Sequence, residues 1–289
     1  EESRPAGANL TAEEGILIVL NRLADYHTHT VRCGHATGSM EAYVEAAIAR
    51  GLGEIGFSDH VPMYWLPEEK RDPTGAMAMA ELEEYVSDVL RLRERYPEIP
   101  VRLGLEADYI PGHEEALVRL LEAYPWDYVI GSVHFLDDWN FDHPDLVYRY
   151  AEWDIGELYD RFFALERAAA GSGLFDILAH IDLIKKFGHR PARPLTAAYA
   201  ELADAIAGSG AAIELSTAGL RKPVGEVYPA PELLQACCQR GVPLVISSDA
   251  HAPEEVGWGF EDALDLALRA GFTQVARFAG RRHQLVPLA

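Results

Sequence analysis

A single α/β barrel of seven or so β/α units is the fold class this sequence predicts, and three observations predict it. From Asp25 onward, short β-rich runs alternate with helical patterns of period 3.6, the order that builds a parallel sheet or barrel. Gly51, Gly171, Gly210, Gly241 and Gly271 follow the helical patterns, where a left-handed stop is wanted. Ionisable side chains collect at one end of the β-rich runs, and barrels carry their active sites at the carboxyl ends of their strands.

In chain order the predicted strands are Leu23 to Thr28, Glu54 to Ser58, Val101 to Ala107, Tyr128 to His134, Ile177 to Ile181, Ala212 to Leu215 and Leu244 to Ser248, with a further candidate at Gln274 to Phe278. The 3.6 period predicts helices at Ser39 to Arg50, Ala80 to Tyr96, Glu114 to Tyr124, Ile155 to Ala170, Leu195 to Gly208, Pro231 to Arg240 and Phe260 to Ala270. No linker or low-complexity stretch interrupts the series, so residues 25–289 are expected to form one domain, with residues 1–24 a poorly packed extension. The segment from Pro62 to Pro73, with Tyr64 and Trp65, is expected to act as a lid or substrate loop.

Composition excludes several functions. The 25 Lys and Arg face 46 Asp and Glu, and a formal charge of -21 repels polyanions and leaves no basic stripe for nucleic acid. The apolar run from Gly15 to Leu23 is broken by Asn21 and Arg22, so no bilayer span is expected. Nor does the segment before Asp25 read as a secretion signal. Three cysteines, Cys33, Cys237 and Cys238, are too few for a disulfide framework or a thiolate zinc site, and a reducing cytoplasm is the expected compartment.

The chemistry is read from the strand ends. They deliver His27 and His29, then Asp59 and His60, Glu106 and Asp108, His134, His180 and Asp182, and last Asp249 and His251, while His35 follows in the loop after His29. Taken singly, a strand-end histidine is more often hydrogen-bonded surface, and Asp59 or Asp182 more often a helix cap. Independent structural histidines have no reason to recur at the same end of successive strands, which makes metal binding the reading of the set. Imidazole with carboxylate suits zinc, manganese or iron. The histidines 27, 29, 35, 60, 134, 180 and 251 with Glu106 and Asp249 exceed what one ion can hold, so two to three divalent transition-metal ions are expected, with Glu106 as bridge. Clustered ions suit in-line displacement at phosphorus, so metal-dependent hydrolysis of a phosphoester is the expected reaction class. Lys185, Lys186 and Arg221 are candidate phosphate contacts, Arg221 because it can bind oxygens in bidentate fashion. Cys33 is an alternative thiolate ligand, and the Cys237-Cys238 pair reads as helix packing. His143 and His189 lie in loops that could cover the site, His113 and His283 read as solvated, and Phe135, Trp139 and Phe141 suit a pocket wall or the core.

These residues resemble the PHP family, named for polymerase and histidinol phosphatase. The resemblance runs from Asp25 to about Pro287 and rests on His27-Thr28-His29, His35, Ser58-Asp59-His60, Gly104-Leu105-Glu106-Ala107-Asp108, Ser132-Val133-His134, Ala179-His180 and Asp249-Ala250-His251. Within the family the chain is most similar to the monofunctional histidinol-phosphatases, through the stretch Asp127 to Phe135, His180-Ile181-Asp182-Leu183 through Phe187, and Thr217-Ala218-Gly219-Leu220-Arg221. The resemblance implies a distorted (β/α)7 TIM-like barrel with a trinuclear centre. One ion would take His27, His29, Glu106 and Asp249, another Glu106, His134 and His180, and a third His35, His60 and His251. It also implies that Lys185 and Arg221 bind phosphate, that Glu106, Asp249, His251 and Arg221 are catalytic, and that L-histidinol phosphate is hydrolysed to L-histidinol and phosphate in histidine biosynthesis. Candidates for the leaving-group acid are Asp249, His251 and His189, and Asp108 and Trp139 are candidate readers of the amine and imidazole. The alternatives are a relative acting on a nucleotide or another small phosphomonoester, and a metal-binding module without catalysis.

Overall fold

Residues 19–288 are described by the structure, a computed structural model, so residues 1–18 of the expected extension lie outside the described residues. Seven short strands form a parallel sheet in chain order: β1 (Ala24–Asp25), β2 (Glu54–Phe57), β3 (Val101–Asp108), β4 (Tyr128–Ser132), then, after a small hairpin of β5 (Phe135–Leu136) and β6 (Trp139–Asn140), β7 (Ile177–Leu178), β8 (Ala212–Ser216) and β9 (Leu244–Ser247). Thr28 meets Ala250 in a parallel bridge, with His29 N–H donating to the Ala250 carbonyl at 2.9 Å and Ala250 N–H to the His27 carbonyl at 3.0 Å. Through these bonds the sheet closes at its carboxyl end into the seven-stranded barrel the sequence implies.

Helices fill the connections: α1 (Met40–Ala49), α2 (Leu82–Arg95), α3 (Glu114–Leu121), α4 (Ile155–Ser172), α5 (Thr196–Ser209), α6 (Pro231–Gln239) and α7 (Phe260–Ala270). Their ends follow local chemistry. Ser39 and Asp154 accept from the Ala42 and Glu157 N–H groups and so cap α1 and α4, while Gly173, Gly210 and Gly271 end α4, α5 and α7 in the left-handed conformation. No helix among the described residues is long and apolar enough to cross a membrane.

The barrel interior below the mouth is filled by Tyr26, Tyr128, Ile130, Ile177 and Val245. Tyr128 lies across the lumen and donates to the Tyr26 carbonyl at 2.6 Å. Its side chain fits because neighbouring strands carry glycine: a Cβ would stand 2.2 Å from the Tyr128 hydroxyl at Gly56 and 2.2 Å from the ring at Gly104. The expected last strand is not a barrel stave. β10 (Gln274–Ala279) pairs antiparallel with β11 (Arg282–Pro287), and Ala276 and Phe278 of this hairpin plug the end of the barrel opposite the mouth. Residues 21–24 are held to it, since Arg277 donates to the Asn21 and Arg22 carbonyls and Leu23 is buried.

Several strands are shorter than predicted, with β1, β4 and β7 stopping at Asp25, Ser132 and Leu178. Each stops just before a histidine the sequence assigns to the site. The chain leaves the ladder there to turn those side chains over the mouth.

Candidate metal centre

All nine predicted ligand side chains meet at the carboxyl end of the barrel. Glu106, on the inward face of β3, stands at the middle and is buried. Its Oε2 lies 3.3 Å from His27 Nε2, 3.6 Å from His29 Nε2 and 2.9 Å from His60 Nδ1. Its Oε1 accepts from Ser132 Oγ at 2.5 Å and lies 3.2 Å from His180 Nε2 and 3.7 Å from His134 Nε2. Asp249 Oδ1 is 3.1 Å from His29 Nε2, 3.7 Å from His27 Nε2 and 3.5 Å from His251 Nδ1. His180 and Asp249 are among the few non-glycine residues at positive φ, 32° and 51°, a conformation costing about 1 kcal/mol or more that persists where surroundings impose it.

The outer nitrogens of four of these imidazoles, those of His27, His134, His35 and His251, are held by acceptors. Glu214 Oε1 takes His27 Nδ1 at 2.6 Å and Asp108 Oδ1 takes His134 Nδ1 at 3.0 Å. His35 Nδ1 faces the carbonyls of Cys33 and Thr74 at 3.0 and 2.9 Å, and His251 Nδ1 faces the Asp249 carbonyl at 3.1 Å. A carbonyl can only accept, so both Nδ1 atoms carry hydrogen and both Nε2 atoms present lone pairs. Those two Nε2 atoms are 3.0 Å apart. Burial and neighbouring imidazoles push both groups below the usual histidine range, so neither proton nor hydrogen bond relieves the contact. Two lone pairs converging in this way fit a shared cation, and an outer acceptor on the far nitrogen is the usual setting of a metal-bound histidine.

The remaining electrostatics agree with a site built for positive charge. Burial alone would raise the Glu106 carboxyl, but His60 and His27 outweigh it and hold it well below the usual range. Asp249 is likewise held low, burial being outweighed by His27 and a hydrogen bond to His29. Conversely, burial disfavours the His29 and His134 cations, yet Asp249 and Asp59 push His29 up to about 9, and Asp108 and Glu106 push His134 up to about 10. Protons here occupy positions that cations of higher charge would take. Groups of donor atoms within reach of a single ion include His27-His29-Asp249, His27-Glu106-His180 and His29-His60-His251. Cys33 Sγ is also within reach of His35 and His251, with its thiol pushed by burial up to about 12.

A cavity of about 580 Å³ opens over the centre, walled by Phe135, Asn140, Asp142 and His143 on one side, Lys186, Phe187 and Lys222 on another, and Met63 with Thr74 to Ala76 above. The lid expected at Pro62 to Pro73 therefore contributes mainly through its first residues and those just after it. Two expected phosphate contacts do not reach this space. Lys185 is buried, its Nζ 2.7 Å from Asp182 Oδ2 and 2.8 Å from the Val227 carbonyl. Arg221 donates to the Ser248 and Asp249 carbonyls at 2.8 and 3.2 Å and pairs with Glu255, so it braces the loop carrying Asp249 and His251. Lys185 is withdrawn from the cavity by the 3-10 turn Leu183–Lys185, which rotates it down onto Asp182 and leaves Lys186 facing the cavity. Trp139 is fully buried against Tyr150 and Trp153, and His189 stacks on Tyr150 at 4.4 Å, so neither lines the cavity. His113 and His283 are exposed as expected. Asp59 holds Thr30 and the His60 N–H, and Asp182 holds Lys185 and the Ala230 N–H, so both aspartates staple loops and cap no helix. Glu214 is not among the expected site residues, although the alternation Ala212, Glu214, Ser216 along β8 is the signal that aims it inward.

Comparison with known proteins places this geometry. A family model described as PHP domain matches residues 25–218. A protein of Deinococcus radiodurans named probable histidinol-phosphatase is 47% identical over 244 residues, which cover 84% of this chain and 91% of that one. The histidinol-phosphatase of Bacillus subtilis is 31% identical over 268 residues, covering 83% and 98%. Among solved structures, the histidinol phosphate phosphatase of Lactococcus lactis, complexed with zinc, L-histidinol and phosphate, superposes with a TM-score of 0.78 at 22% identity, over 91% of this chain and 99% of that one.

Proposed function

The chain belongs to the PHP domain family, and from that we infer that its centre hydrolyses L-histidinol phosphate to L-histidinol and phosphate, a step of histidine biosynthesis. The observation that carries the reading is the 47% identity, over 91% of its length, to a relative named for this activity. The converging donor set supports it, because divalent metal ions are what that set fits. We assign His27, His29, His35, His60, Glu106, His134, His180, Asp249 and His251 as ligands of two or three ions drawn from zinc, manganese and iron. When bound, such ions supply a water of lowered pKa and positive charge for the phosphoryl oxygens.

The protein's own groups do the positioning. Glu214 and Asp108 fix the tautomers of His27 and His134 so that Nε2 faces the centre. Glu106 presents one oxygen to each half of the histidine set and would hold bound ions with both groups. Lys186 and Lys222 give the wall the cations a phosphate needs, and Arg221 keeps the Asp249 and His251 loop in place. The domain is assigned to residues 25–289 together with residues 21–24, which lead into β1 and pack on the β10–β11 hairpin. Free Cys33, Cys237 and Cys238 fit a reducing cytoplasm.

The test is phosphate release from metal-analysed protein with L-histidinol phosphate, AMP and a generic aryl phosphate. Turnover of L-histidinol phosphate should exceed the others by at least a hundredfold in kcat/KM. Comparable low rates on all three would overturn the assignment, and so would fewer than two equivalents of transition metal.

A further inference from the structure

Four carboxylates line the cavity: Glu106, Asp108, Asp142 and Asp249. Glu106 and Asp249 face the histidine nitrogens of the centre, and Asp108 is bonded to both the backbone N–H and the ring of His134. Asp142 is hydrogen-bonded through its carboxylate to no ligand residue. Its Oδ1 accepts from Lys186 Nζ at 2.6 Å, and the same ammonium donates to the Asp142 carbonyl at 3.0 Å. The hairpin β5–β6 puts it there. Phe141 N–H donates to the His134 carbonyl at 3.2 Å, folding the chain back beside the strand end, and Asn140 Oδ1 accepts the Asp142 N–H at 3.2 Å. Burial opposes ionisation of Asp142, but Lys186 and His134 outweigh it and His180 adds to them, so it is a carboxylate standing close to the centre.

We propose that Asp142 binds the ammonium group of the substrate, and that the Asp142–Lys186 pair of the free protein holds the places of the substrate's two charges. The inference rests on the histidinol phosphate reading. In that molecule the amine sits on the carbon next to the ester carbon, so its receptor has to stand beside the metal centre and not at the far end of the cavity. Asp142 does so, at the end of a hairpin that starts from His134. On binding, the substrate's ammonium replaces that of Lys186 at the carboxylate, and Lys186 is free to donate to a phosphoryl oxygen. Each of the two protein charges keeps a partner, the one pair of the free protein becoming two pairs with the substrate. A phosphomonoester without an amine leaves Asp142 with an unmatched charge near a phosphate dianion, which selects against it.

The experiment compares L-histidinol phosphate with its amine-free analogue, 3-(imidazol-4-yl)propyl phosphate, on wild-type holoenzyme, Asp142→Asn and Asp142→Glu. Wild type should favour the aminated substrate, and Asp142→Asn should cut that preference by about ten- to a hundredfold, the range for one charge-assisted hydrogen bond, chiefly through KM. Asp142→Glu, which keeps the charge, should retain part of the preference. Equal losses on both substrates in Asp142→Asn, or no amine preference in wild type, would overturn the proposal. Should Asp142→Asn fail to fold, the wild-type comparison and Asp142→Glu still decide: a folded Asp142→Glu that loses turnover equally on both substrates, so that the wild-type preference is unchanged, counts against it. A wild-type enzyme that turns over L-histidinol phosphate no better than an aryl phosphate overturns the function itself, a different result from a selective enzyme whose selectivity survives in Asp142→Asn.

Discussion

Glu214→Gln is the sharpest probe of how the centre is held, because one buried carboxylate orients two neighbouring residues of the proposed ligand set. Oε1 accepts from His27 Nδ1 at 2.6 Å, and Oε2 accepts from the backbone N–H of His180 at 3.0 Å. Glutamine can keep one acceptor but turns the other position into a donor. If its oxygen stays on His27, its amide faces the His180 N–H and a buried donor loses its partner, which costs about 1–3 kcal/mol. The negative charge that makes His27 a better ligand is lost as well. Removing such an outer partner lowers metal affinity about ten- to a hundredfold, which is roughly 1.4–2.8 kcal/mol at the conversion of 1.4 kcal/mol per tenfold. Competition of the metal-free protein against a chromophoric chelator measures the affinity, and thermal unfolding of the same sample measures the structural part. The expected results are a drop of that size in affinity for the tightest ion and a fall of a few degrees in the metal-free Tm. Wild-type affinity in Glu214→Gln, with or without a change in Tm, would refute the claim that Glu214 acts through His27.

Two further outcomes follow from the same geometry. In the metal-free protein His29 is pushed up to about 9 and His134 up to about 10, from an unfolded value of about 6.5, so their imidazolium forms contribute stability that is complete below about pH 6.5 and lost as pH rises towards 10. Metal binding needs the neutral rings, so apparent affinity should climb across that same window while metal-free Tm falls, and an affinity that levels off at pH 7.5 would contradict the shifts. Lys185 and Lys186 should separate cleanly. Lys185→Met strands a buried Asp182, costing about 3–5 kcal/mol and lowering Tm, whereas Lys186→Met should lower kcat/KM about tenfold or more with little change in Tm. The reverse pattern would restore Lys185 as the phosphate contact.

The contrast between those lysines shows which parts of the molecule are legible in the sequence. A barrel could be read because period 2 and period 3.6 alternate over most of the chain, and the gathering of histidines and carboxylates because strand order places successive ends on one rim. Glu106, Glu214 and Asp108 follow strand alternation directly, and side-chain direction there is fixed by the ladder. Beyond the ladder that rule stops. Strands β1, β4 and β7 end before the histidines they deliver, and His180 and Asp249 reach their positions through positive φ, which no residue pattern other than glycine announces. The hairpin bearing Asn140 and Asp142 is two residues per strand, too short for any period to register.

In a 3-10 turn each residue rotates about 120°, so adjacent residues face different surroundings. At Leu183–Lys185 the outcome is decided by what lies below the turn: Asp182 and the Val227 carbonyl need a cation and take Lys185, which leaves Lys186 to the cavity. The assignment of a one-residue neighbour to the substrate is thus set by a buried acid and a carbonyl contributed by a distant loop. Residues 182 and 227 are far apart in the chain, and only the closed barrel brings them together. The same holds for Arg221, whose guanidinium is claimed by the Ser248 and Asp249 carbonyls because β8 and β9 lie side by side. Residue type could be read as a phosphate contact in both cases. Which cation stays available for phosphate depends on which buried acceptors the fold leaves without one.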